Sequence, residues 1–246
     1  MPAVSESRFL VQATWDDVPH LDADTKRKLE ASMSPHTRDA RTKGVPALGS
    51  GAIYPVPESD FVVDPMPIPD WWERAYGLDV GWQRTAAIWG ARDPATDVIY
   101  LYTEHYRGQA EPAVHAAAIR ARGAWIPGII DTAARGRSQI DGEVLMQKYV
   151  DQGLRLNNAV KAVEAGLFTV LERLTTGRLK IFSTCRNTLA ELRIYRRDEK
   201  GAVVKKNDHL MDAKRYLVMG FTDVAKTRPV AVRRGPAQFG DRVVGY

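Results

Sequence analysis

Four aspartates occupy positions in this sequence where carboxylates could carry out chemistry. Asp79 follows the apolar run in YGLDVGW, and Asp131 ends the apolar run in GIIDTAARGRS. Asp208 and Asp212 open a helical stretch in NDHLMDAKRY, and their i,i+4 spacing predicts that both lie on one helix face. Because a lone buried charge is costly, carboxylates at the ends of buried strands indicate a counter-charge, most often a divalent metal. This set of residues predicts hydrolysis of a phosphodiester.

The four aspartates predict a magnesium or manganese site, although each also has a common structural role. Magnesium takes oxygen ligands and keeps several waters, so a few carboxylates are enough to bind it. We expect two Mg²⁺ or Mn²⁺ ions, about 3.5–4 Å apart, that clamp the attacking water and the leaving oxygen. Aspartate is also a common turn residue, helix N-cap and surface charge, and each of the four could serve only in that way. Their occurrence together in this order favours the metal site.

The pattern of apolar runs and turn residues predicts the elements that carry these carboxylates. Strands are expected over residues 73–81, 85–93, 98–107, 125–131, 154–160 and 178–183. Helices are expected over residues 22–33, 35–43, 111–123, 138–153, 164–177, 188–201 and 208–220. This order predicts an α/β fold with a mixed sheet flanked by helices. Strand ends in such a sheet face one crevice, where Asp79 and Asp131 would meet if their strands pair.

Composition restricts the class of protein. The chain has 246 residues, of which 44% are hydrophobic and 26% charged, as in a soluble globular protein. No apolar run approaches the roughly 18 residues of a membrane span, so no membrane association is expected. The single cysteine, Cys185, excludes an internal disulfide and a thiolate metal cage. A net charge of +5 fits a polyanionic partner, but charge alone is weak support for one.

The chain divides into three expected regions. Residues 1–70 contain two short helical patterns and then a stretch rich in glycine and proline, which indicates a linker or the tail of a preceding module. Residues 71–221 carry the regular alternation of strands and helices and form the expected α/β domain. Residues 222–246 are an arginine-rich tail without a clear core pattern, interpreted as either a contact surface or a solvated end.

Basic and aromatic residues near the aspartates suggest further contacts. Four basic residues could grip backbone phosphates: Arg135, Arg137, Lys205 and Lys206. The two arginines could equally lie in a solvated loop, and the two lysines could instead offset repulsion between carboxylates. His209 could bind a metal or act as a base, although a histidine that follows an N-cap is more often incidental. Four tryptophans could stack on bases but are more often packing residues: Trp71, Trp72, Trp82 and Trp89.

Three segments together resemble one protein family. YGLDVGW, IIDTAARGRSQIDGE and NDHLMDAKRYLVMG are similar to the C-terminal nuclease domain of the large terminase subunit of tailed bacteriophages. ARTKGVPALGSGAIYPV resembles the connector that follows the ATPase motor in such proteins. The resemblance covers roughly residues 35–220 and implies an RNase H-like fold. It also implies a metal-dependent endonuclease that cuts concatemeric viral DNA during genome packaging in the host cytoplasm.

The resemblance carries roles and partners to this chain. By position, Asp79, Asp131 and Asp208 would be metal ligands, and Asp212 would be an auxiliary acid or would only shape the helix. The implied partners are double-stranded DNA, the portal or procapsid, the small terminase subunit and an ATPase module. No GxxxxGK[ST] phosphate-binding loop occurs in these 246 residues, so ATP-driven translocation is not expected of them. We therefore interpret the chain as a nuclease domain without its motor, with residues 1–70 as the tail of the ATPase module.

Two other functions are compatible with the sequence. Another nuclease of the same fold, such as a Holliday-junction resolvase or a transposase, would prefer branched substrates. A non-catalytic docking module for DNA or the portal would bind DNA in EDTA and would not cut it. Clustered carboxylates argue against docking alone, because DNA binding calls for cations.

Overall fold

Seven strands form one mixed sheet in the computed structural model, which describes residues 14–17, 21–32, 51–131, 139–198 and 200–229. The strands are β1 (Val62–Val63), β2 (Glu73–Asp79), β3 (Thr85–Arg92), β4 (Ile99–Arg107), β5 (Gly128–Ile130), β6 (Leu156–Asn158) and β7 (Leu179–Phe182). Their order across the sheet is β1-β7-β4-β3-β2-β5-β6. The mixed sheet expected from the sequence is confirmed, and every predicted strand has a counterpart.

Helices from residue 58 onwards flank this sheet, and further helical segments precede it in the described part of the chain. They are α1 (Ala23–Ser32), α2 (Glu58–Phe61), α3 (Pro112–Arg120), α4 (Gln139–Asp151), α5 (Val163–Thr175), α6 (Arg186–Ile194) and α7 (His209–Val224), with a short 3₁₀ helix at Trp15–Asp17. The helix expected over residues 35–43 lies outside the described residues. No helix within the described ranges is long and apolar enough to cross a membrane.

Strands β2, β3 and β4 form an antiparallel meander, because short turns join them. β2 pairs with β3 so that Asp79 lies opposite Ala86, and β3 pairs antiparallel with β4. On its other edge β2 pairs in parallel with β5, where Leu78 lies opposite Ile130. This register decides which residues meet at the end of the sheet that carries Asp79.

Alternate residues of β3 pack on opposite faces of the sheet. Ala86 and Ile88 belong to a core that includes residues of α5, α6 and α7. Ala87 and Trp89 belong to a second core with residues of α3 and α4. Since helices cover both faces, the strand TAAIWGAR is apolar along most of its length instead of alternating with polar residues.

Residues 51–63 pack against the first of these cores. Tyr54 and Phe61 are buried in it, and the Ile53 N–H donates a hydrogen bond to the Tyr195 carbonyl at 3.1 Å. Strand β1 runs parallel to β7 at the edge of the sheet. This part of the expected connector therefore packs with the α/β domain, while the division of the chain at residue 70 stays a prediction.

Helix α6 ends earlier than the sequence pattern indicates. A helix was expected over residues 188–201, but α6 ends at Ile194. Arg196 then forms an antiparallel bridge with Ala52 from the packed segment. Tertiary pairing of the backbone thus overrides the helical propensity of the charged stretch RRDEK.

Candidate active site

Asp79 and Asp131 leave the same end of the sheet from neighbouring strands. Asp79 is the last residue of β2, and Asp131 directly follows β5. The parallel pairing of Leu78 with Ile130 carries the register to these two aspartates, so their backbones lie side by side. Asp79 is buried and Asp131 is half-buried. The expected meeting of these two residues follows from the register.

Helix α7 brings the other two aspartates to the end of β2. The helix crosses β2 at Gly77, where a Cβ atom would overlap the Ala213 carbonyl oxygen. Glycine is needed there because the helix backbone and the strand backbone are in direct contact. The first turn of α7 therefore reaches the strand end, and His209 Nδ1 lies 2.8 Å from Asp79 Oδ2.

The carboxylates of Asp208 and Asp212 have positive charges beside them. Asp208 is the N-cap residue of α7, but its side chain makes no capping hydrogen bond. Lys205 Nζ lies 3.3 Å from an oxygen of each carboxylate. Arg215 Nη2 lies 3.0 Å from the other oxygen of Asp212. Both aspartates are buried, with 2% and 4% exposure, so these counter-charges offset the cost of removing the carboxylates from water.

Glu191 of α6 makes the capping contact that Asp208 does not make. Its Oε2 accepts a hydrogen bond from the Leu210 N–H at 2.7 Å, and its Oε1 accepts one from the Tyr106 hydroxyl at 2.6 Å. Burial raises the pKa of the Glu191 carboxyl, and these hydrogen bonds oppose that rise. The carboxylate therefore ties the start of α7 to β4.

The pKa of the Tyr216 phenol responds to carboxylates from three parts of the fold. Tyr216 lies one helical turn after Asp212 on α7 and is buried. Burial raises the pKa of its hydroxyl, and the negative charges of Asp212, Asp79 and Asp131 raise that pKa further. The phenol thus lies in the electrostatic field of all three carboxylates, and the register of β2 with β5 is what places Asp79 beside Asp131. Residues far apart in sequence are thus brought to one place.

The donor set of this site fits a hard divalent cation. Its four carboxylates supply oxygen, which is the ligand type that Mg²⁺ and Mn²⁺ prefer. Within the residues that the structure describes, no three carboxylate, imidazole or thiol groups form a ready cage around one point. The carboxylates are contacted instead by Lys205, Arg215 and His209. The site has the negative charge and the oxygen donors of a cation site, and basic side chains neutralise that charge in this conformation.

A family model matches most of the α/β domain. The model described as the terminase RNaseH-like domain covers residues 77–221. The chain belongs to this terminase family. A second model, for the N-terminal part of the T4likevirus-type terminase large subunit, matches residues 1–61. The family and the RNase H-like fold expected from the sequence are both confirmed.

Two curated relatives are the large terminase subunits of Salmonella phage P22 and Enterobacteria phage LP7. Each is 31% identical to this terminase chain over 223 residues, which is 86% of the chain. The matched region is 44% of the P22 subunit and 46% of the LP7 subunit. The chain therefore spans about half the length of these relatives.

Solved terminase structures share the fold. The P22 large terminase nuclease domain has a TM-score of 0.69 and 29% identity, over 74% of this chain and 97% of that domain. The nuclease domain of the phage SPP1 large terminase with bound Mn has a TM-score of 0.50 and 20% identity, over 68% and 99%. The G20c large terminase nuclease with bound magnesium has a TM-score of 0.52 and 15% identity, over 71% and 98%. The last two show likeness of fold alone.

Some of the other residues expected at the site lie near the carboxylates, and others do not. Lys205 lies at the carboxylates, whereas Lys206 makes neither of those ion pairs. His209, which sequence reasoning rated as incidental, contacts a carboxylate of the site. Sequence reasoning missed Glu191, because nothing in its local pattern indicates a contact with another helix. The two candidate phosphate-binding arginines lie outside the described residues: Arg135 and Arg137.

Proposed function

We propose that this terminase domain is a metal-dependent DNA endonuclease that cuts concatemeric viral DNA during genome packaging. One observation carries the proposal: Asp79 at the end of β2 and Asp131 after β5 leave the same end of the sheet in register, and the first turn of α7 reaches that end, where His209 contacts Asp79. A surface that only docks DNA calls for cations instead. The P22 structure, which is 29% identical to this chain, supports this chemistry because it is a nuclease domain.

The proposed site would hold two Mg²⁺ or Mn²⁺ ions. The proposed ligands are Asp79, Asp131 and Asp208. Bound there, the ions would activate a water and stabilise charge on the leaving 3′ oxygen. Asp212 is proposed as an auxiliary acid, because its two oxygens are already engaged by Lys205 and Arg215. Asp208 is proposed as the ligand at the start of α7, because its neighbour His209 contacts Asp79.

Neighbouring residues would position the ligands. His209 orients the Asp79 carboxylate through their 2.8 Å contact, and Glu191 anchors the first turn of α7. Gly77 permits the close crossing of α7 over β2. A misplacement of about 1 Å can cost about 100-fold in rate, so these contacts are expected to matter for cleavage without touching DNA.

The proposed partners extend beyond this domain. The substrate is double-stranded DNA, held through its phosphates by basic residues that include Arg135, Arg137 and Lys206, with Lys205 mainly balancing the carboxylates. The proposed protein partners are the portal or procapsid, the small terminase subunit and an ATPase module, all in the host cytoplasm. The family match over residues 1–61 and the greater length of the relatives support the ATPase module.

A plasmid-nicking assay tests the activity. The chain is incubated with supercoiled DNA in Mg²⁺, Mn²⁺ or EDTA, beside Asp79→Asn and Asp131→Asn. We expect cutting that needs a metal and that falls by at least about 100-fold in either variant, because each loses a charged ligand. Asp223→Asn is the matched control, since Asp223 is exposed near the far end of α7.

Two results would contradict the proposal. If either ligand variant cuts at the wild-type rate, the aspartate that it lacks is not a metal ligand. DNA binding in EDTA without cutting in any metal would favour the docking module instead. Circular dichroism of each variant confirms that the fold is retained, so that a loss of cutting is assigned to the site.

A further inference from the structure

Two tryptophans of this domain are largely exposed, and one of them lies next to the site. Trp72 and Trp89 are buried, in line with a packing role, but Trp71 is 71% exposed and Trp82 is 62% exposed. Trp82 follows Asp79 by three residues, in the turn between β2 and β3. Trp71 precedes β2, which is about 20 Å long, so its backbone lies at the other end of the strand from Trp82. Packing in the fold explains neither indole, and only Trp82 lies at the carboxylate end.

The turn that carries Trp82 is held by a second loop. The Gln109 N–H donates a hydrogen bond to the Trp82 carbonyl at 2.8 Å. A Cβ atom on Gly108 would overlap the Gln83 carbonyl oxygen, so the two loops are in backbone contact. The Thr85 hydroxyl donates to the Gly81 carbonyl at 3.1 Å. An exposed indole on a fixed backbone loses little conformational freedom when it binds a partner.

Two arginines flank this turn. Arg84 follows Trp82 by two residues, and its guanidinium lies over the Tyr106 ring, 4.6 Å from the centroid. Arg107, at the end of β4, is exposed and lies opposite Thr85, the first residue of β3. An exposed aromatic ring near guanidinium groups is a combination that binds nucleic acid strands, since the ring stacks on bases and the cations contact phosphates.

We propose that Trp82 stacks on a base of the strand that is being cut, beside the scissile phosphate, while Arg84 and Arg107 contact the flanking phosphates. The inference rests on the proposed nuclease function and adds a residue that positions DNA. Stacking requires local opening of the duplex at the cut site. Binding should therefore be tighter where a base is already unpaired, and this preference should depend on the indole.

The test measures binding apart from cutting. Wild type, Trp82→Ala, Trp82→Phe and Trp71→Ala are titrated in EDTA against a duplex with a central unpaired 2-aminopurine and against a fully paired duplex. We expect Trp82→Ala to bind the unpaired probe about tenfold more weakly and to lose quenching of the 2-aminopurine. Trp82→Phe, which keeps a ring, should retain most of both signals. Trp71→Ala should bind as wild type does.

The outcomes separate this inference from the proposed function. Equal binding and quenching by wild type and Trp82→Ala would overturn the stacking role, even if the wild type cuts plasmid in Mg²⁺. Equal loss in Trp82→Phe and Trp82→Ala would also overturn it, because the ring would then not be what binds. Failure of the wild type to cut with any metal would reject the nuclease function, whatever the binding results.

Discussion

Lys205 contacts the carboxylates of Asp208 and Asp212, so its ammonium group competes with a metal ion for them. Its Nζ lies 3.3 Å from Asp208 and 3.3 Å from Asp212, and its side chain is 57% exposed. An ammonium on a flexible, partly exposed stem is held weakly, so a divalent ion could displace it. Lys205 then keeps the buried carboxylates compatible with folding before metal is bound.

We expect Lys205→Met to lower the Mn²⁺ concentration that gives half-maximal cutting. The change removes a competing cation, and the strength of a partly exposed ion pair limits the effect to about fivefold. A metal titration of plasmid nicking measures the shift, and calorimetric Mn²⁺ titration of the protein without DNA checks it. Lys226→Met removes the same charge from an exposed residue that pairs with Arg74, at the other end of β2 from Asp79, and should shift neither. A higher Mn²⁺ requirement in Lys205→Met would mean that this lysine supports metal binding.

At the scale of elements, two carboxylates anchor successive helices to the sheet. Glu104 of β4 accepts hydrogen bonds from the backbone N–H groups of Asn187 and Thr188, each at 2.9 Å, at the start of α6. Glu191 of α6 does the same for Leu210 at the start of α7. Each carboxylate also meets the positive end of a helix dipole. The position of α7, and of the aspartates on it, thus depends on contacts made from β4 through α6.

The crossing of α7 over β2 gives a prediction for Gly77→Ala. The added methyl group would overlap the Ala213 carbonyl, so α7 must move away from the strand. We expect a loss of about 1–3 kcal/mol in the free energy of unfolding, as for other overpacked sites. Urea unfolding measures this loss.

Cleavage by Gly77→Ala should fall further than the unfolded fraction explains, because α7 carries Asp208 and His209. Cutting is therefore measured at a temperature where urea unfolding shows the variant to be folded. Wild-type stability together with wild-type cutting would show that the helix accommodates the methyl group.

At the scale of the whole molecule, a buried histidine pair joins a helix of one layer to the sheet. His105 Nε2 on β4 lies 2.9 Å from His115 Nδ1 on α3. Burial first, and then the charges of His115, Arg122 and Arg107, lower the pKa of His105 from 6.5 to about 4. Burial also lowers the pKa of His115. The pair is therefore neutral in the folded protein at pH values where the unfolded chain is charged.

Because of this pair, the free energy of unfolding decreases as the pH is lowered from 6.5 to about 4. Between pH 6.5 and about 4 the unfolded state takes up a proton that the folded state does not bind at His105. The contribution of His105 is thus fully present above pH 6.5 and decreases as the pH falls towards 4. Urea unfolding at pH 7, 6 and 5 should show a smaller decrease in His105→Gln than in wild type. Parallel decreases in the two proteins would contradict the depressed pKa, which NMR titration of the imidazole measures directly.

Most secondary structure could be predicted from the sequence, and two departures have physical causes. The charged stretch after Ile194 has helical propensity, but Arg196 pairs with Ala52 more than 140 residues earlier. Residues 51–63 contain a glycine and two prolines, as expected of a connector, yet Tyr54 and Phe61 lie in the core. Both departures depend on contacts between distant segments, which local patterns do not contain.

The sequence by itself determined the strands, the helices and the places of four aspartates at the ends of elements, because apolar periodicity and turn residues act locally. It also carried the motifs of the terminase family. Only the tertiary structure decided that His209 contacts Asp79, 130 residues away, and that Glu191 caps α7. Those contacts depend on the register of β2 with β5 and on the crossing of α7 at Gly77. Register and crossing are set by the packing of the whole core, so a local pattern cannot specify them.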